Sequence, residues 1–344
     1  MRSIQLLIDI GSKFTTVAQY GKSFTIKDAS IVYIENRNGN IGLLEYGRNV
    51  ARYIGQQRPN EQAIYPIREG AIYHERAAVL MYKAFINKAA GESLFRPKIK
   101  AIACVSCGLT NAEKHDVEKV LNMAGASEVV IVESPIAVYA GIGDGTAQCI
   151  VDIGASKSEI AIVNRDGIIA GCSLNIGSNS FNQAIMDYIL DVKRCRLASE
   201  RVEHIKKQLA TLLDEDNFVV NEQVTEIGSG SQTTLQIRSP EVKEAIEPCV
   251  QKICTTILSI LSQTPENLVD EVTTNGIVLC GGTSRLRGLS EYIANDVGLT
   301  VRRLENPEDA IVEGGKYFFD HREQLARLLN VVNLKYHHKA QFRL

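Results

Sequence analysis

The feature that most limits what this chain can fold into is a duplicated glycine hairpin. Leu6-Leu7-Ile8-Asp9-Ile10-Gly11-Ser12-Lys13 returns as Cys149-Ile150-Val151-Asp152-Ile153-Gly154-Ala155-Ser156. Each copy is an apolar strand ending in an aspartate, then a sharp Gly/Ser turn, then a second strand over Thr15–Tyr20 or Glu159–Val163. Turns of this kind point backbone N–H groups and small hydroxyls into one space, which suits a phosphate. A single copy says little, because Asp-Gly and Gly-Ser turns join many ordinary hairpins. Two copies predict two related half-domains closing on one polyphosphate and its magnesium.

The length fits that expectation, since 344 residues exceed one compact core and imply two domains. Hydrophobic residues at 45% and charged residues at 23% are the balance of a soluble globular protein. A net charge of −2 argues against general nucleic-acid binding and against a polybasic membrane patch. A core strand begins almost at once, which leaves no room for a signal peptide. No apolar run approaches the roughly 18 residues that span a bilayer. A cytoplasmic protein is expected.

Eight cysteines raise disulfides or zinc as readings. Cys104, Cys149, Cys172 and Cys280 lie in or beside apolar strand-like runs, where a thiol behaves as a small hydrophobe. Cys104-Val105-Ser106-Cys107 has CxxC spacing, but no second pair and no flanking histidine complete a metal set. Reduced core thiols are the expectation.

Strand signals cover Gln5–Ile10, Thr15–Tyr20, Ser23–Asp28 and Ser30–Tyr33, followed by helical spacing over Tyr73–Ala90. Ile99–Val105 reads as a buried strand, Thr110-Asn111-Ala112-Glu113 as a capping box opening a helix, and Val129–Val132 as a further strand before another helix. The second half repeats the plan. Helices are predicted over Asn179–Val192 and Ala198–Leu213, a hairpin over Phe218–Ile237, and a long helix from Ser239-Pro240 to Gln263 with Ser239 as its cap. Gly276–Cys280 is a strand, with helices over Arg285–Val297 and Pro307–Phe319. Alternating strands and helices imply an α/β fold with parallel pairing.

Taken in order, these segments resemble the actin/chaperone-ATPase/sugar-kinase superfamily, specifically bacterial actins of the MreB type. Five segments carry the resemblance: Ile8 to Ser12, Pro97 to Gly108 with the Thr110 cap, Val129 to Gly143, Val151 to Gly154, and Gly276 to Gly315. In the last, Cys280-Gly281-Gly282-Thr283-Ser284-Arg285 is similar to the adenosine motif, where glycine lets backbone pack against base and ribose. The resemblance implies an actin-like ATPase fold of two related α/β domains around a central nucleotide cleft, each with a smaller inserted subdomain. It places domain I at 1–142 with an insertion at about 31–75, and domain II at 143–320 with an insertion at about 195–240. A C-terminal helix and tail over 321–344 would pack back on domain I.

Residue by residue, the resemblance implies ATP or ADP with Mg2+ as cofactors. Asp9 and Asp152 match the aspartates that hold hydrated magnesium, an ion that prefers carboxylate and water oxygens. Gly11, Ser12, Thr15 and Gly154 match the phosphate loops, with Lys13, Ser156 and Lys157 beside them. Gly281, Gly282 and Thr283 fall on the adenosine side, and Lys206 resembles the lysine beside the base. Two accounts stand for Lys206: that role, or a solvated lysine on an amphipathic helix.

The departures from the family pattern cluster at the hydrolysis chemistry. Where the family places a Glu or Gln before the proline to orient the attacking water, Val132-Glu133-Ser134-Pro135 puts Ser134 in the slot and Glu133 one residue earlier. A serine is no equivalent base near neutral pH, and on a strand or first helical turn a one-residue shift aims Glu133 away from the cleft; the alternative is a Glu133 that still reaches through altered backbone. Ala155-Ser156-Lys157-Ser158-Glu159 replaces the usual Gly-Gly-Thr-Thr-Glu, and Lys13 replaces a small residue. Ile176-Gly177-Ser178-Asn179-Ser180-Phe181 has lost the carboxylates of the Gly-Asp-Asp-Phe form. Three accounts of Lys13 and Lys157 stand: pairing with phosphates, occupying the phosphate space, or pointing to solvent.

The implied function is an actin-like cytoskeletal protein that binds ATP in the interdomain cleft and assembles into filaments, with slow or absent hydrolysis. Its partner is then a second copy of itself, since a head-to-tail contact that closes no ring builds a filament. A non-polymerising adaptor that grips a partner protein is the alternative. A metabolic kinase is a third reading, without a clear carboxylate base. Membrane contact through Leu325, Leu328, Leu329 and Val332 is weighed against packing of that face onto domain I, and packing is preferred.

Overall fold

The computed structural model describes residues 3–23, 25–91, 97–143 and 145–327. The chain groups into two units. One comprises Met1–Ala147, Val163–Ser173 and the chain from Asp309; the other comprises Gln148–Ile162 and Leu174–Glu308. Residues 163–173 and those from Asp309 thus group with the first unit, whereas the sequence reading divides the chain at 142 and 320.

In the first unit a five-stranded sheet runs in the order Glu128–Glu133, Lys98–Val105, Ser3–Ile10, Phe14–Gln19, Thr25–Ala29. The first three strands are parallel and the remaining pairs antiparallel. Alternation decides what each face buries. Leu6, Ile8 and Ile10 join the core that also holds Met81, Tyr82 and Phe85 of the helix Glu75–Ala90 and Val117, Val120 and Leu121 of Asn111–Ala124. Leu7 points the other way, where a Cβ on Gly315 would come within 2.3 Å of its Cδ1.

That second face is closed by two helices, Ser134–Ile142 and Ala310–Asp320, which meet through glycines. A Cβ on Gly314 would lie 1.9 Å from the Ala137 carbonyl oxygen, and one on Gly141 would lie 2.8 Å from the Gly314 Cα. The Glu313-Gly314-Gly315 stretch is therefore a packing device that seats this helix on its neighbour and on the sheet. Lys27 pairs with Asp309 at 2.7 Å and Arg322 donates to the Gln5 side chain at 2.8 Å, fastening both ends of the segment. Leu325 is buried; Leu328, Leu329 and Val332 lie outside the described residues.

A smaller antiparallel sheet of Asn40–Tyr46, Val32–Arg37 and Glu61–Ile64 belongs to the same unit. Its Tyr33 stacks on Tyr53 with ring centroids 4.7 Å apart.

The second large sheet runs in the order Gly167–Leu174, Ser158–Asn164, Gln148–Ile153, Ile277–Cys280, Val301–Arg303, with the last three strands parallel. A three-stranded sheet of Cys195–Arg196, Val219–Glu226 and Gln232–Arg238 accompanies the helix Ser199–Leu209 in the second unit. The long helix spans Ser239–Leu261 and is followed by a separate helix, Glu266–Asn275, that the sequence reading does not anticipate. Ser239 does not cap its own helix. Arg238 is the N-cap, while the Ser239 hydroxyl accepts from Phe218 N–H at 2.7 Å and donates to the Asp216 carbonyl at 3.1 Å.

All eight cysteines are free thiols, five of them buried. Burial pushes the Cys149 thiol up to about 12. No helix among the described residues is long and apolar enough to cross a membrane.

Candidate functional site

In the first unit, Asp9 sits opposite Thr16 and Ile10 opposite Thr15 across the hairpin, so the turn is confined to Gly11-Ser12-Lys13. Gly11 is required by its own turn: a Cβ there would lie 2.3 Å from the Phe14 carbonyl oxygen. Ser30 braces the turn from outside. Its hydroxyl donates to the Gly11 carbonyl at 2.6 Å, its N–H donates to the Lys13 carbonyl at 3.0 Å, and its Oγ lies 3.0 Å from Thr15 Oγ1. The Ser12 hydroxyl accepts from the Gly70 N–H at 3.2 Å. The structure thus gathers Asp9, Gly11, Ser12, Lys13 and Thr15 on one hairpin and adds Ser30 and Gly70. No short motif signals those two, which arrive only through tertiary register.

Cys104 lies beside Asp9 and Val132 beside Cys104 in the parallel part of the sheet, which brings Glu133 to the same end of the strands. Glu133 closes its strand and Ser134 opens the following helix. Both are buried, and both are already engaged. The Glu133 carboxylate accepts from Lys114 Nζ at 2.9 Å, and the Ser134 hydroxyl donates to the Val105 carbonyl at 3.0 Å. Lys114, on the capped helix Asn111–Ala124, is a partner the sequence reading misses.

In the second unit, Asp152 is the last residue but one of the strand Gln148–Ile153 and is buried. Gly154 N–H donates to the Lys157 carbonyl at 2.8 Å, closing the turn that carries Ala155 and Ser156. Here the bracing comes from the start of the helix Ser178–Asp191. Ser178 N–H donates to the Gly154 carbonyl at 3.1 Å, and Asn179 N–H to the Ala155 carbonyl at 2.8 Å. Gly177 must be glycine, since a Cβ would lie 2.7 Å from both carbonyl oxygens. Thr283 also donates to the Gly154 carbonyl, at 2.8 Å.

Gly281 and Gly282 differ. Gly281 has φ +83°, and a Cβ would fall 2.3 Å from Asp152 Oδ1 and 2.4 Å from the Ile153 carbonyl oxygen. Gly282 is exposed, has no positive φ, and a Cβ there would meet nothing within 4 Å. Burial pushes the neighbouring Cys280 thiol up, and the carboxylates of Asp152 and Glu159 add to the rise.

Lys206 is not a solvated lysine. Its side chain is only 10% exposed, its ammonium donates to the Ser178 carbonyl at 3.1 Å and to the Ser178 hydroxyl, and Glu203 stands 3.6 Å away. Through Ser178 it reaches the second hairpin. Lys13 and Lys157 are each half-buried, so neither is a fully solvated side chain.

The donor types fit the ligands the sequence implies. Aspartate at the end of each strand offers hard oxygen to magnesium, and each turn holds backbone amides and small hydroxyls beside glycine, as a phosphate requires.

A model of the MreB/Mbl protein family matches residues 3–327. The chain is similar to cell shape-determining protein MreB of Escherichia coli (strain K12), 26% identical over 322 residues that cover 92% of this chain and 93% of that one. It superimposes on the crystal structure of MreB5 of Spiroplasma citri bound to ADP with a TM-score of 0.85 at 20% identity, over 94% of this chain and 98% of that one. The double helical filament of MamK matches with a TM-score of 0.77 at 19% identity, over 93% and 99%. At these identities the two solved structures establish a shared fold.

Proposed function

This chain belongs to the MreB/Mbl family, and we propose that it binds an adenine nucleotide through its two glycine hairpins and assembles with copies of itself into filaments. We assign the phosphates to the Gly11–Lys13 and Gly154–Lys157 turns, the magnesium and its waters to Asp9 and Asp152, and the adenosine to Gly281, Gly282, Thr283 and Lys206. The observation that carries this reading is the pair of hairpins, each with an aspartate just before a tight, braced glycine turn. The nucleotide in MreB5 and the filament of MamK support it by similarity.

Hydrolysis is slow or absent in this reading. Water attack on a phosphate needs a group that orients the water and accepts its proton. Ser134 has committed its proton to a backbone carbonyl, and the Glu133 carboxylate is drawn to Lys114. Neither is arranged as that base.

The test is high-speed pelleting of the purified chain with ATP, with ADP and without nucleotide, read alongside phosphate release. ATP-dependent pelleting with phosphate release well below that of E. coli MreB is the expected result. Release as fast as in that protein removes the hydrolysis claim. Absence of pelleting in all three conditions removes the filament claim and leaves a nucleotide-bound adaptor.

A further inference from the structure

Tyr82 lies on the helix Glu75–Ala90, which packs on the Phe14–Gln19 strand of the first hairpin. The side chain is fully buried, and its hydroxyl has no hydrogen-bond partner among the described residues. A buried hydroxyl left without a partner is destabilising. Phenylalanine would fill the same space without that cost, so the hydroxyl calls for a reason. Its polar neighbours are Thr15 and Asp9, both on the hairpin.

The protons around Thr15 can be placed from chemistry alone. The Gly11 carbonyl only accepts, so the Ser30 hydroxyl 2.6 Å away must give it its proton. Thr15 Oγ1 lies 3.0 Å from Ser30 Oγ, and with the Ser30 proton spent, Thr15 is the donor in that contact. Thr15 Oγ1 is then left with lone pairs and no proton for another partner. It needs a donor, and the neighbouring Tyr82 hydroxyl has a proton without an acceptor. Burial pushes that phenol above its ordinary range, against a smaller downward pull from Thr15, so it keeps its proton at neutral pH.

We propose that Tyr82 is a positioning residue of the first hairpin, whose hydroxyl closes onto Thr15 Oγ1 when a polyphosphate seats against the Gly11–Lys13 turn. The closure completes a one-way chain of hydroxyls from Tyr82 through Thr15 and Ser30 to the Gly11 carbonyl. It rests on the nucleotide reading above and adds to it a residue of the helix core. Tyr82 then weakens the ligand-free chain and strengthens the loaded one, and that opposition separates positioning from mere packing.

The experiment is thermal unfolding and ADP titration, with magnesium, of the full chain and of Tyr82→Phe. The ligand-free variant should melt at or above the wild-type temperature, while its ADP affinity falls about three- to tenfold. In a Ser30→Ala background, where the chain of hydroxyls is already cut, the same change should cost less than about twofold. Equal ADP affinity in wild type and Tyr82→Phe overturns the proposal. So does a ligand-free variant melting several degrees below wild type, because the hydroxyl would then have been satisfied all along. A wild-type chain that binds neither ADP nor ATP overturns this proposal and the nucleotide reading together, whereas wild-type binding undiminished in the variant overturns this proposal alone.

Discussion

The two hairpins share a sequence pattern and differ in what holds them. In the first, the turn is braced by side-chain hydroxyls: Ser30 reaches the Gly11 carbonyl and contacts Thr15. In the second, backbone does most of the work, with two N–H groups at the start of a helix donating to the Gly154 and Ala155 carbonyls. The equivalent glycines are under different pressure as well. Gly11 has a carbonyl oxygen 2.3 Å from where its Cβ would be, while the nearest atom for Gly154 is at 3.4 Å. The two copies thus share the aspartate and the turn while each has its own support. A glycine at matching positions need not mean the same steric demand.

The sharpest way to break that comparison is to put alanine at both positions. Gly11→Ala forces a methyl into the Phe14 carbonyl, and backbone cannot step aside as a flexible side chain can. A loss of about 2–4 kcal/mol is expected in denaturant unfolding. Gly154→Ala makes an ordinary contact and should fall within about 0.5 kcal/mol of wild type, helped by a less mobile unfolded chain. Equal losses at the two sites would mean that the hairpins are equally tight in solution.

Within the second unit, Gly281 and Gly282 set up a smaller contrast. Gly281 answers to its own protein, through a positive φ and the Asp152 carboxylate. Nothing among the described residues requires Gly282 to lack a side chain, whereas the proposed adenosine site would, through close approach of the ligand. Gly282→Ala should leave the ligand-free melting temperature unchanged and weaken ADP about tenfold. Unchanged affinity would remove Gly282 from the proposed adenosine side.

Much of this arrangement is legible in the sequence because it is local. Asp9, Gly11, Asp152 and Gly154 are fixed within a few residues of one another, and a strand–turn–strand signal needs no distant partner. The Thr110–Glu113 capping box is legible for the same reason, and both of its reciprocal bonds form. What the sequence hides is tertiary. Lys114 meets Glu133, and Ser30 meets Gly11, only once separate elements are packed. Lys206 reads equally well as a surface lysine, because helical periodicity cannot tell a solvated face from one that covers another helix's first turn. Ser239 misleads by its company: a serine before proline has the form of a cap, yet its hydroxyl serves the Asp216–Phe218 segment.

The smallest effect separates the two kinds of bracing directly. Ser30→Ala removes the only hydroxyl donor described on the Gly11 carbonyl and takes away the acceptor that orients Thr15. Thr283→Val also removes a hydroxyl from a hairpin carbonyl, but Gly154 keeps the Ser178 N–H at 3.1 Å. A carbonyl that retains one partner avoids most of the cost of being stranded, since the penalty attaches to the unsatisfied group more than to the lost bond. Ser30→Ala should therefore cost about 1–2 kcal/mol, and Thr283→Val less than about 1 kcal/mol, in the same unfolding measurement. The reverse order would mean that the helix start does not hold the second turn, and that Thr283 carries it as Ser30 carries the first.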